Sequence, residues 1–137
     1  MPDIDDPDEL HALASIAMDH ALSSLQPRGP LLPFAIVEDE SGRKLIRAVG
    51  DRLEDMVKNT RFLITESPSP MRAAMVCDGY STHTGSRMDT VFVEAFEGGA
   101  AGGIVVAQSY RSVGFVKKRI ELVGRPGVVE RGCPPLF

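Results

Sequence analysis

Apolar positions recur three and four residues apart near the start of the chain. Leu10, Leu13, Ala14, Ala17, Ala21, Leu22 and Leu25 fall on one face of a helix of about five turns. Asp6-Pro7-Asp8-Glu9 stands in front of it as a start signal. Asp6 can cap, Pro7 fits the first helical position, and Asp8 and Glu9 suit the positive end of the helix dipole. Gln26-Pro27-Arg28-Gly29-Pro30 ends the pattern.

The pattern then shortens. Residues 31–38, with Phe34, Ile36 and Val37, read as a strand, and residues 44–49 as its return across the Ser41-Gly42 turn. Asp51 and Glu54 have capping-box spacing ahead of a short second helix, whose face is Leu53, Met56, Val57 and Thr60. Ser67-Pro68-Ser69-Pro70 breaks the chain there. The remainder of the chain reads as antiparallel sheet: residues 71–82, 88–96 and 104–110, then a last strand around Val116, Ile120 and Leu122. In the second of these, Val91, Val93 and Ala95 alternate with Phe92 and Phe96, so both faces are apolar and the strand belongs at the centre. Residues 97–103 are glycine-rich without the Lys-Ser/Thr pair of a phosphate loop, and read as a hairpin turn that needs positive φ.

The expected fold is therefore α+β, in the order α-β-β-α-β-β-β-β, with a mainly antiparallel sheet of five to six strands. One domain over residues 1–137 is expected, with a flexible N-terminus at 1–6 and an extended tail over 125–137. The first helix can cover only one face of so apolar a sheet, which points to a homodimer.

Composition narrows the picture. The chain has 137 residues, 43% of them hydrophobic and 25% charged, as in an ordinary globular domain. The net charge of −4 disfavours nucleic acid or an anionic membrane as the main partner. No stretch approaches the roughly 18 apolar residues of a membrane span, and the acidic first residues lack the pattern of a signal peptide. Cys77 and Cys133 have no zinc-ligand spacing and fit a reducing compartment, so a cytoplasmic location is expected. Ala, Gly and Arg usage with few lysines suggests a bacterial source of high genomic GC. In architecture, size and acidity the chain resembles small dimeric binding proteins such as bacterial secretion chaperones. That likeness is one of fold and rests on no motif.

Chemistry is sparse. No nucleophile elbow, zincin helix or dinucleotide fingerprint occurs, and no cofactor or metal is implied. The acidic run Glu38-Asp39-Glu40 reads as a solvated hairpin tip. Asp78, Tyr80, His83 and Asp89 form a candidate pocket at the end of a hairpin, where an Asp–His pair could do acid–base work beside a nucleophile. Arg111, Lys117, Lys118, Arg119 and Arg125 form a candidate anion patch, opposite in sign to the acidic first helix. Three functions are expected, in order of preference. The first is a non-catalytic protein-binding, adaptor or chaperone-like domain. The second is a small-molecule-binding domain or enzyme with a pocket between helix and sheet. The third is anion or nucleic-acid binding through the basic segment.

Overall fold

The apolar stripe of the first segment does form a helix, α1 (Pro7–Ser24). Its buried face is Leu10, Leu13, Ala14, Ala17, Met18 and Ala21. At its end the hydroxyls of Ser23 and Ser24 both donate back to the carbonyl of His20, at 2.9 and 2.8 Å. The computed structural model describes residues 7–25, 31–83, 85–100, 102–114, 116 and 119–137. Asp6 and the 26–30 terminator therefore lie outside the described residues.

Strands β1 (Phe34–Asp39) and β2 (Gly42–Ile46) form the first hairpin, and α2 (Leu53–Glu66) comes next. Then come β3 (Arg72–His83), β4 (Ser86–Glu97), β5 (Gly103–Val113) and β6 (Arg119–Cys133). The element order is the one the sequence pattern predicts. All six strands join one antiparallel sheet in the order β2-β1-β3-β4-β5-β6.

Turn chemistry accounts for the connections. Asp39 accepts from the backbone N–H and the hydroxyl of Ser41, at 2.8 and 2.7 Å, closing the β1–β2 turn. Gly99 takes φ +79° in the glycine-rich β4–β5 turn, and a Cβ at Gly103 would meet the carbonyl of Ala95 at 2.4 Å. That loop is glycine-rich because its backbone must turn and approach closely, not because it cradles phosphate.

Three boundaries differ from expectation. The N-cap of α2 is Arg52, extended at φ −131° and ψ 157° with no side-chain cap bond, so Asp51 and Glu54 do not form a capping box. Arg52 instead pairs with Glu54 at 3.1 Å and with Asp55 at 3.7 Å. The helix also runs on to Glu66, where the hydroxyls of Thr65 and Ser67 donate to the carbonyls of Phe62 and Leu63. Finally, β6 continues to Cys133, so most of the segment expected as a tail from Arg125 is paired strand. The pairing survives Gly124, Pro126 and Gly127 through register shifts. Beside them the Gln108 amide donates to the carbonyls of Ser109 and Val123, at 2.9 and 3.1 Å.

Both faces of the sheet are covered. On one, Phe34, Ile36, Ala74, Val76, Val91, Val93, Ala95, Ile104 and Val106 share a core with α1. On the other, Ala35, Val37, Ala73 and Met75 pack under Ile64 of α2. Phe96, Val105 and Cys133 continue that second face beneath Leu136 and Phe137. The face that the sequence reading left for a second subunit is thus closed by α2 and the last residues of the chain.

Leu13 and Ile64 are fully buried on opposite faces. Leu13→Ala and Ile64→Ala should each cost about 2–5 kcal/mol in urea unfolding. The double variant should lose close to the sum, because the two sites share no partner. A cost confined to Leu13→Ala would mean that the second face is not sealed.

Candidate functional site

The far end of the sheet is where the sequence placed its pocket. An 18-residue helix spans roughly 27 Å and a 12-residue strand roughly 40 Å, so α1 cannot cover the whole of β3 and β4. Asp78, Tyr80 and Asp89 lie in the half of β3 and β4 nearer that end. Tyr80 lies opposite Asp89 in the β3–β4 register, and Asp89 lies opposite Tyr110 of β5. His83 is paired with Ser86, three positions away from the Tyr80–Asp89 pair, and its side chain lies outside the described residues.

Asp78 is not a free carboxylate. The Tyr110 hydroxyl donates to it, at 3.0 Å from Oδ1 and 2.9 Å from Oδ2, and the Gly79 N–H donates to Oδ1 at 3.1 Å. Burial pushes the Asp78 carboxyl above its usual range; the Tyr110 and Gly79 bonds pull it back, and nearby Asp89 adds to the rise. Burial and the Asp78 partner together push the Tyr110 phenol well above its ordinary value, so it is a donor at all physiological pH. The pair therefore acts as a tether from β3 to β5 across β4. Beside it the Arg87 guanidinium stacks on the exposed Tyr80 ring, 3.5 Å from its centre. Across the sheet, the hydroxyls of Ser81, Thr90 and Ser109 bond one another at 2.6 to 3.3 Å. Their hydrogen-bonding capacity is turned inward.

Of the five residues of the basic segment, Arg111 and Arg119 lie near one another beside Glu121. Arg111 pairs with Glu121 across β5 and β6, and this bond holds the Glu121 carboxyl below its usual range. Arg119 also faces Glu121, while Arg125 stands six residues further along the strand, roughly 20 Å away. Lys117 and Lys118 lie outside the described residues.

The opposite end of the sheet holds a cluster that sequence reasoning missed. Arg72, with a side chain only 11% exposed, meets Glu9 of α1, Glu38 of β1 at 3.5 Å and Glu97 of β4 at 3.1 Å. Glu38 also takes Arg43 at 2.7 Å. Burial pushes the Glu97 carboxyl up, Arg72 opposes the rise, and Glu9 and Glu38 add to it. An open cleft of about 590 Å3 adjoins this cluster, lined by Thr65, Pro70, Met71, Gly98, Gly99 and Phe137 with Glu97. Its single ionisable side chain, Glu97, is already committed to Arg72.

A smaller notch of about 260 Å3 opens at another corner, between the residues leading into β1, those leaving β2 and the start of α2. Leu32, Pro33, Ala48, Val49, Gly50 and Met56 line it, with Arg47 as the only charged side chain. Val49 is 87% exposed and Leu32 46%, and Leu53, three residues before Met56 at the start of α2, is 41% exposed. The Arg47 guanidinium sits 5.3 Å from the centre of the Phe34 ring. In the sequence these residues read as the start of one strand, the end of the next and the face of the second helix, and only the fold brings them together.

Among the described residues no three His, Cys, Asp or Glu side chains stand together as a metal site, and no helix is long and apolar enough to cross a membrane. No protein-family model, curated protein or solved structure matches the chain.

These environments make two outcomes measurable. A carboxyl raised in the folded state contributes stability that is complete below its unfolded value and is lost as pH rises through the folded one. Glu97→Gln should therefore gain stability relative to the parent between pH 4 and 7. Arg72→Ala, which takes the cation from Glu9 and Glu97 and leaves Glu38 with Arg43 alone, should cost about 3–5 kcal/mol at pH 7 and less at pH 4.5. Flat differences across that range would show that the cluster is screened by solvent. Separately, burial pushes the Cys77 thiol up to about 11, with Glu94 adding to the rise. A thiol raised by two units has about 100-fold less thiolate at pH 8. Native Cys77 should react with iodoacetamide about that much more slowly than in urea, as read by mass spectrometry of its peptide.

Proposed function

We propose that this chain is a non-catalytic protein-binding module that docks its partner through the apolar corner at Leu32, Val49, Leu53 and Met56. The observation that carries the reading is the clustering of exposed large apolar side chains around one notch. Singly exposed apolar residues are ordinary on protein surfaces, whereas a cluster with polar surroundings marks an interaction site. Covering a Val or Leu side chain is worth about 1.5–3 kcal/mol, so two or three such residues can anchor an interface. The notch is smaller than the roughly 300–1,000 Å3 of a small-molecule pocket, which favours one inserted side chain over a whole cofactor.

The inward bonding of Asp78, Tyr110 and the three hydroxyls supports the same reading, since those groups already serve the sheet. The chain acts as one domain in this proposal. A cytoplasmic location goes with it, because the buried Cys133 and the raised Cys77 are free thiols that suit a reducing compartment. A bacterial source rests on residue usage alone. The homodimer expected from a bare sheet face loses its motive once α2 and Phe137 cover that face, so the partner is taken to be a different chain.

Benzoylphenylalanine placed at position 49 tests the proposal by photo-crosslinking in extract of the native cells, with exposed position 112 as control. The expected result is an adduct with one protein from position 49 only. That purified protein should bind the parent chain at least about 10-fold more tightly than the Val49→Asp variant. The same diffuse set of adducts from both positions would sink the reading.

A further inference from the structure

The charges around the corner say which kind of segment it takes. Glu54 and Asp55 are held by Arg52, at 3.1 and 3.7 Å. Lys44, on the edge strand, stands opposite Val37 on the face of the sheet that α2 covers, whereas Arg47 lies on Phe34 of the other face. Arg47 lines the notch itself and has no carboxylate partner among the described residues. Its guanidinium is steadied against the Phe34 ring, so a carboxylate that reaches it meets a partly ordered donor fork. The rest of the lining is aliphatic, thioether or backbone.

We infer that the docked partner is an acidic, apolar peptide segment of another protein, with one large aliphatic or aromatic side chain seated in the notch and a flanking carboxylate on Arg47. This rests on the protein-binding reading above and adds the chemistry of the partner to it. The notch fits one large side chain and its apolar rim at Val49 and Leu32 takes the next. The cation–carboxylate contact sets the direction and the choice of partner, since charge pairing at an interface rim serves specificity more than affinity. Asp51, exposed and next in sequence to Gly50 of the lining, would repel an acid placed beside it, so the carboxylate belongs on the Arg47 side of the notch.

The test uses the full chain, uniformly 15N-labelled, and three synthetic 12-residue peptides as probes. One carries a leucine flanked by glutamates, the second a leucine flanked by lysines, and the third a serine flanked by glutamates. The expected result is movement of the amide signals of Leu32, Ala48, Val49, Gly50 and Met56 on adding the first peptide. It should bind at least about 10-fold more tightly than the other two. Arg47→Glu should reverse the charge preference. Arg47→Gln should abolish the preference while the leucine peptides still bind, which guards against misfolding of the first variant. Equal or tighter binding of the lysine peptide at these residues would overturn the inference and leave the protein-binding reading standing. Self-association in light scattering that Val49→Asp removes would also overturn it, because a second copy would then be the occupant. Binding of none of the peptides, together with no specific adduct at position 49, would overturn both.

Discussion

Strands β3 and β4 are apolar on both faces, and a sheet of that kind is stable only when two separate layers keep water off it. The N-terminal helix supplies one layer. Its Ala14, Ala17 and Ala21 let the helix sit close over Val91, Val93 and Ala95. The second layer is composite: Ile64 of α2 covers Ala35, Val37, Ala73 and Met75, and Leu136 with Phe137 covers Phe96 and Val105. Because α2 is short and amphipathic on a narrow stripe, it cannot cover the whole face alone. The return of the chain after β6 completes the cover, which ties the last four residues to the body.

Position along the sheet is set by polar contacts at its two ends. Arg72 draws together the start of α1, the end of β1 and the end of β4. One guanidinium with three carboxylates is over-supplied with negative charge, which adds to the rise that burial gives Glu97. Further along the sheet Asp78 and Tyr110 tie β3 to β5. Both devices are polar groups used for register and orientation. The net gain in stability from such buried pairs is small, and the cost of removing one member is large.

Local periodicity carries most of the legible fold. The α1 stripe and the alternation of Val91, Val93 and Ala95 with Phe92 and Phe96 are short-range patterns, and the structure places those residues as they predict. What was hidden depends on distant partners. Glu9 and Arg72 are sixty-three residues apart. Nothing near either one signals the other. The length of β6 was hidden because Gly124, Pro126 and Gly127 resemble coil, and only its pairing with β5 through register shifts holds them in a strand. The closing of the second face by Leu136 and Phe137 was hidden for the same reason. At the candidate pocket the sequence pointed to Asp78, Tyr80 and Asp89 but not to Tyr110, thirty-two residues on, which decides what Asp78 does.

The edges of the sheet bear on where a partner can bind. A sheet with a free edge can accept an added strand, and natural proteins blunt such edges with charge, proline and irregularity. Here β2 has five residues, with Arg43 and Lys44 among them. Edge strand β6 is longer, but it carries Arg119, Glu121, Arg125, Glu130 and Arg131, the proline at 126, and positive-φ Gly124 and Gly132. A partner strand would lose bonds at the proline and at each irregularity, and would bring its own charges against five others. Strand addition is therefore disfavoured at both edges. The corner beside Arg47 has none of these obstacles: it offers Val49 and Leu32 to be covered and one cation to be matched. The same physics that keeps this sheet from pairing with other sheets does not oppose side-chain insertion at that corner, the mode of association proposed above.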